Sequence, residues 1–374
     1  LYAVDESGEP YWDRQMPVDL YGISVAPDTV VADYTDPDDT RERPDDVFEV
    51  IDVVTGETLW EDEVSYLAAV FAETVYTFEC TRTSDDEFDE CELSARDMDT
   101  GEARWTEPVR PDATIYTAYH MDHFEAAPAD PPYLVLYSDG QAGAVDPADG
   151  KALAASVESP HPVNALAAED VLVSVDDASA SPDDGCRATL RGYDVESGKE
   201  RWETQVSLAV TAKGYGEGQD CDVLWWWARD GDLLAVRDAD GVPQTLDLAT
   251  GEVRAQASEP GTVLATDGEF MLVRDGADGE VGDLTCYDLS SGEVAWTAAD
   301  PQVELGQLRP RMHGDHVVAA STGYVDDAIV YDRAAGEELM APPGELAGSG
   351  EGWLAAWTTT DDADIVEFSF YALS

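Results

Sequence analysis

Three lysines (Lys151, Lys199, Lys213) and one asparagine (Asn164) are all that 374 residues hold of those types, against 81 aspartates and glutamates. With only 20 lysines and arginines, the formal charge is −61 at pH 7. So anionic a surface opposes nucleic-acid phosphates and anionic lipid and keeps the chain soluble, which excludes nucleic acid as a partner. No apolar run approaches the roughly 20 residues needed to span a bilayer. Neither a signal peptide nor a convincing amphipathic helix is present. A Gly-rich phosphate loop and a nucleophile elbow are also missing. Paired carboxylates are so abundant that any two would fit a glycosidase, so they carry no catalytic signal.

What the chain does have is a recurring phrase: an aspartate, a turn ending in glycine, usually an acidic residue, and often a tryptophan. It reads DVVTGETLW from Asp52 to Trp60, DMDTGEARW from Asp97 to Trp105, DVESGKERW from Asp194 to Trp202 and DLSSGEVAW from Asp288 to Trp296. Weaker copies surround Gly8, Gly150, Gly251 and Gly336. Successive glycines lie 48, 45, 49, 48, 53, 41 and 44 residues apart. A fixed period in this range marks a repeat architecture. The 38 residues after Gly336 and the 8 up to Gly8 add to 46, one further period shared by the two ends. The expected fold is therefore all-β: an eight-bladed β-propeller of four-stranded antiparallel blades forming one domain over residues 1–374. Its ring is closed by a blade built from about residues 1–16 plus 345–374.

Within a period the apolar runs are short, β-branched or aromatic, and bounded by Gly, Asp and Pro. YLVLY (Tyr133 to Tyr137), VLVSV (Val171 to Val175), FMLV (Phe270 to Val273) and WLAAW (Trp353 to Trp357) recur at the second-strand position, as buried strands do. Aspartate can bond nearby backbone amides and start the turn, while glycine accepts the positive φ of a short hairpin loop. Four residues on, Trp12, Trp60, Trp105, Trp202 and Trp296 should face the neighbouring blade, each burying roughly 150 to 250 Å². Ala154, Ala255 and Met340 stand at the same offset, so their interfaces should be less well filled.

This repeat, with its Thr/Ser-Gly-Glu/Lys turn and tryptophan four residues on, resembles the tryptophan-docking repeat of the quinoprotein dehydrogenase-like, or PQQ-like, β-propellers. The resemblance covers essentially the whole chain. That family includes quinone-dependent dehydrogenases and also non-catalytic members, such as the eight-bladed lipoprotein scaffold of the outer-membrane β-barrel assembly machinery. The alcohol dehydrogenases of the enzyme branch carry adjacent cysteines and a calcium held by carboxylate and amide side chains. This chain has no Cys-Cys pair and a single asparagine, which argues against PQQ as a cofactor and places it in the non-catalytic branch. The expected role is an interaction or envelope scaffold, a monomeric propeller that meets another envelope protein or a cell-surface polymer. The alternatives are a PQQ-dependent or other periplasmic oxidoreductase and a carbohydrate-binding module.

Cys80 and Cys91 bracket an acidic loop between the second and third strands of one blade, and a bridge there could contribute about 2 to 3 kcal/mol. Cys186 lies in the corresponding loop two blades later. Cys221 lies in the connection to the next blade, on the same face, so a second bridge between these two is expected. Cys286 is left over as a buried free thiol. Disulfides imply an extracytoplasmic home. The chain begins in mid-pattern, from which an upstream secretion signal or membrane anchor is expected. LYAVD at the start and FYALS at the end both read as third strands. The C-terminal copy is expected to fill that position, with Tyr11 to Arg14 supplying the outer strand.

The remaining residues suited to chemistry give weaker signals. His120 with His123 and His313 with His316 fall in blades three and seven, too far apart to share a metal, and read as surface turn residues; His161 stands alone. Acid clusters including Asp85, Asp86, Asp183, Asp184, Asp361 and Asp362 offer oxygen ligands suited to calcium, but none has the spacing of an EF-hand loop. On a strand, Trp225 and Trp227 share one face and Trp226 takes the other. Packing between blades is the plain reading of these rings; exposure at the rim would make them an interaction surface. They lie in the longest period, where an insertion could form a binding feature.

Overall fold

The computed structural model describes residues 2–4, 10–13, 20–35, 46–62, 66–84, 87–115, 124–127, 129–159, 165–176, 186–212, 219–222, 229–230, 232–275, 282–299, 310–319, 329–341, 345–350, 353–359 and 366–372. All regular structure in them is β. The chain divides into two compact units, Leu1–Leu153 and Ala154–Ser374.

In the first unit, one sheet runs Leu20–Val25, Thr29–Thr35, Asp46–Asp52 and Thr58–Asp62, and a second runs Tyr66–Val70, Thr74–Ser84, Glu87–Asp97 and Ala103–Val109. A third comprises Thr114–Ile115, Leu134–Ser138, Gln141–Val145 and Ala152–Glu158, its last strand continuing into the second unit. These strands are antiparallel neighbours in sequence order. One strand breaks that rule. Phe124–Ala126 leaves the third repeat and pairs in parallel with Leu20–Val25, matching Phe124 with Ile23 and Ala126 with Val25. The Ala127 N–H then donates to the Val25 carbonyl at 2.7 Å. The free edge of the first sheet is thereby covered, which removes a row of unpaired backbone groups.

The second unit begins with a fourth sheet of Ala165–Ala168, Val171–Asp176, Arg187–Asp194 and Glu200–Ser207. The fifth has Arg229–Asp230, Leu233–Arg237, Pro243–Asp247 and Val253–Gln256, and touches the fourth through the single pair Ser207 and Arg237. A sixth sheet (Gly261–Thr266, Phe270–Asp275, Leu284–Asp288, Glu293–Ala298) and a seventh (Arg311–His313, His316–Ala319, Ile329–Asp332, Glu338–Met340) repeat the pattern. The eighth has three strands, Glu345–Gly350, Trp353–Thr359 and Val366–Ala372. In the first unit Pro10–Asp13 pairs with Tyr2–Val4 as a two-stranded hairpin. A further hairpin, Ala209–Ala212 with Gln219–Asp222, interrupts the longest period.

Burial follows strand position. Val171–Asp176 is buried at its first five residues and Gly261–Thr266 throughout, because sheets cover both faces. The last strand of a repeat alternates, as in Ala103–Val109. The apolar clusters lie between consecutive sheets: Val31, Phe48, Val50 and Val75 join the first two, and Val173, Leu190, Leu234 and Leu246 join the fourth and fifth.

Candidate functional site

Each recurring phrase folds into the same turn. The Asp52 carboxylate accepts the N–H groups of Val54 and Thr55 at 3.0 and 2.6 Å, and the Gly56 N–H returns to the Asp52 carbonyl at 2.9 Å. Asp194, Asp247, Asp288 and Asp332 accept turn amides in the same way. These bonds favour the ionised acid. At Asp194 the Ser197 hydroxyl, then the Arg201 guanidinium, hold the pKa down at about 2. A register shift flanks the turn: Ile51 pairs with Thr58 but Val50 with Trp60, leaving Leu59 as the extra residue. This bulge turns the tryptophan out of its own sheet and toward the next.

The tryptophans then dock by one rule. Trp60, Trp105, Trp202 and Trp296 donate their Nε1–H to the carbonyls of Met98, Pro147, Leu248 and Arg333 at 2.7, 2.7, 3.0 and 2.6 Å. Every acceptor is the residue after the turn aspartate of the following sheet. The ring covers the turn glycine: a β-carbon on Gly101 or Gly251 would lie 2.6 Å from Trp60 or Trp202. Beneath each ring, across the strand pair, sits a compact residue: Val50, Ala95, Gly192 or Cys286. The pKa of Cys286 is pushed up to about 12 by burial, with Asp267 adding to it, which keeps the free thiol protonated and inert. Arg333 adds a clamp between the sixth and seventh sheets, pairing with Asp267 at 2.5 Å and lying 5.0 Å over the Phe270 ring.

Positions without tryptophan behave differently from one another. At Ala154 backbone takes the place of the ring: the Ala155 N–H reaches the Val195 carbonyl at 3.1 Å, and a β-carbon on Gly198 would lie 2.7 Å from the Ala154 oxygen. At Ala255 the gap stays open. A cleft of about 420 Å³ lies between the fifth and sixth sheets, lined by Leu233, Phe270, Leu289, Thr245, Arg254 and Asp288 among others. Its size falls within the range of about 300 to 1,000 Å³ usual for ligand pockets. Gly292, the turn glycine that an indole would cover, has only the Gln256 oxygen near its β-carbon position, at 3.7 Å. Thr245 forms the floor opposite Ala255. Its side chain is fully buried, and the hydroxyl has no hydrogen-bond partner among the described residues.

Two excursions from the sheets are covalently stapled. Cys80–Cys91 clamps the long hairpin of the second sheet, and Cys186–Cys221 ties the inserted Ala209–Asp222 hairpin back to the fourth. His313 and His316 are not surface turn residues. They face each other across the seventh sheet's first hairpin, with His316 buried, because the turn itself is Gly314 and Asp315. Burial, then Arg311 and His316, depress the His313 pKa to about 4, so it is neutral at physiological pH. Among the described residues no three His, Cys, Asp or Glu side chains converge as a metal site. Asp85, Asp86, Asp183, Asp184, Asp361, Asp362, His120, His123, His161, Trp225 and Trp227 lie outside the described residues, as does the side chain of Trp12. Four cysteines are bridged pairwise at a distance in sequence, and the fifth is buried beneath Trp296.

The family model for outer membrane protein assembly factor BamB matches residues 1–204 and, again, 129–298. The chain belongs to this family of β-propeller repeats. The crystal structure of BamB from Moraxella catarrhalis is similar with a TM-score of 0.51 and 14% identity, over 94% of this chain and 96% of that one. The computationally designed Ika8 protein gives a TM-score of 0.52 and 15% identity, over 94% and 96%. Both likenesses concern the fold. No curated protein matches the sequence. Within the BamB-like repeat, the Ala255 cleft is a docking position whose ring is missing and whose other parts remain.

Proposed function

We propose that this BamB-like chain is an extracytoplasmic, non-catalytic scaffold whose sheets close into an eight-bladed ring, residues 1–16 and 345–374 sharing the last blade. The observation that carries this reading is the match to an outer-membrane assembly factor family across residues 1–298. The two disulfides support an oxidising compartment. The turn chemistry supports a mechanical role, since the repeated aspartates are engaged in holding hairpins. Such a framework presents its loops to another envelope protein or a surface polymer. Trp225 and Trp227, which follow the stapled hairpin in sequence, are proposed contacts, and calcium at the acidic clusters is a proposed stabiliser.

Site-specific photo-cross-linking from position 225 in intact cells is expected to capture a discrete envelope protein. Failure to capture one, together with saturable binding of pyrroloquinoline quinone in calcium, would replace the scaffold with an oxidoreductase.

A further inference from the structure

We infer that the Ala255 cleft is a receptor for a tryptophan side chain of a partner polypeptide whose flanking residues are basic. The inference deepens the scaffold reading and rests on it for the existence of a partner, but the cleft can be tested alone.

Four junctions of this same chain define what the position accepts. In each, an indole lies over a compact floor, covers a turn glycine and donates Nε1–H to the carbonyl after the turn aspartate. Between the fifth and sixth sheets all three receiving elements recur. Thr245 is the floor and matches in shape Val50, which lies beneath Trp60. Gly292 is the uncovered glycine, with φ of 71° like Gly101 at 68° and Gly251 at 71°. Leu289 supplies the rim carbonyl: its N–H donates to Glu269, as the Leu248 N–H donates to Asp232. Only the ring is missing. The gap is not closed by backbone as it is at Ala154, and Leu233, Phe270 and Leu289 leave it with apolar walls.

Thr245 matches the other floors in size but not in chemistry. Its unpartnered hydroxyl is the one chemical departure from the other floors. Since Thr245 is fully buried, it shapes the floor without presenting its hydroxyl, and the choice of an indole rests on the uncovered Gly292 and the rim carbonyl. The rim sets the charge of the flanks. Glu269 and Asp288 line it with Arg254, and that arginine is already paired with Asp247. The remaining negative balance, on a chain of charge −61, favours lysine or arginine beside the guest tryptophan.

The test uses the purified full chain with ¹³C-labelled leucine methyl groups. Titration with N-acetyl-tryptophanamide is expected to shift the Leu233 and Leu289 methyl signals saturably, while N-acetyl-leucinamide leaves them in place. Ala255→Trp should abolish the response by filling the gap from within; Ala255→Leu does the same job if the larger ring prevents folding. A Lys-Trp-Lys peptide should bind about tenfold more tightly than Glu-Trp-Glu at low salt, with the difference shrinking as salt is added. No saturable shift, an equal response to the leucine amide, or unchanged binding in the blocked variants would overturn the receptor. Equal binding of the two peptides would overturn the basic partner. An empty cleft would leave the scaffold reading standing, since that reading depends on the cross-linking result.

Discussion

Where the fourth sheet meets the fifth, Trp202 fills the junction, donates to the Leu248 carbonyl and is joined by the Cys186–Cys221 bridge. Where the fifth meets the sixth, the same register holds Ala255, Thr245 and the Leu289 carbonyl around a cleft of about 420 Å³. The turn geometry is common to both, since Asp247 and Asp288 accept turn amides alike. One side-chain position therefore separates a closed junction from an open one. The hairpin framework does not need the ring to form, and the ring decides how adjoining sheets are locked.

The comparison can be broken most strongly at the staple. Opening Cys186–Cys221, which spans 35 residues, is expected to lower stability by about 4 kcal/mol, and opening Cys80–Cys91, which spans 11, by about 3. Denaturant titration of the two paired Cys→Ala variants checks both values. Next, Trp202→Ala should convert the closed junction into a second open one. The expected cost is about 3 kcal/mol, from the lost ring and the unfilled space, measured by urea unfolding.

Two glycines sharpen the contrast. Gly251→Ala and Gly292→Ala both meet a left-handed φ and should each lose at least about 1 kcal/mol. Gly251→Ala must also displace Trp202, whose ring would lie 2.6 Å from the new carbon, while Gly292→Ala meets only an oxygen at 3.7 Å. The first variant should therefore unfold at a clearly lower urea concentration than the second; equal midpoints would mean that the ring does not rest on its glycine.

The smallest effect is acid sensitivity of the turns. Asp194 has a depressed pKa in the folded chain, so its stabilising bonds are fully present above the ordinary carboxylate pKa and are lost as pH falls from about 4 to about 2. Hydrogen exchange at Ser197 should rise across that window and become pH-independent, beyond intrinsic exchange, in Asp194→Asn.

Much of this was legible in the sequence because one short phrase does several jobs. Asp52, Gly56 and Trp60 set a turn, a register and a docking ring within nine residues, so repetition exposes the architecture. The cysteine pairs could be read from their loops, since the period places Cys186 and Cys221 on the same face. The parallel strand Phe124–Ala126 could not be read, because three residues have no periodicity and their partner is a hundred residues earlier. The histidine pair at His313 and His316 was misread because a turn pattern does not reveal which flanking side chains are buried. Ala154 and Ala255 looked alike in sequence; only the approach of Ala155 to Val195 separates a closed gap from an open one. Thr245 carried a signal, as a hydroxyl in a column of otherwise Val, Ala, Gly and Cys floors, visible once strand register is known.

The most direct test of the claim that the Ala255 junction is a tryptophan position without its tryptophan is thermal unfolding of Ala255→Trp beside the parent. If the floor, glycine and carbonyl are in place, the added ring should raise Tm by ~2 °C or more and emit as a buried indole. A lower Tm with the emission of a water-exposed ring would contradict the account.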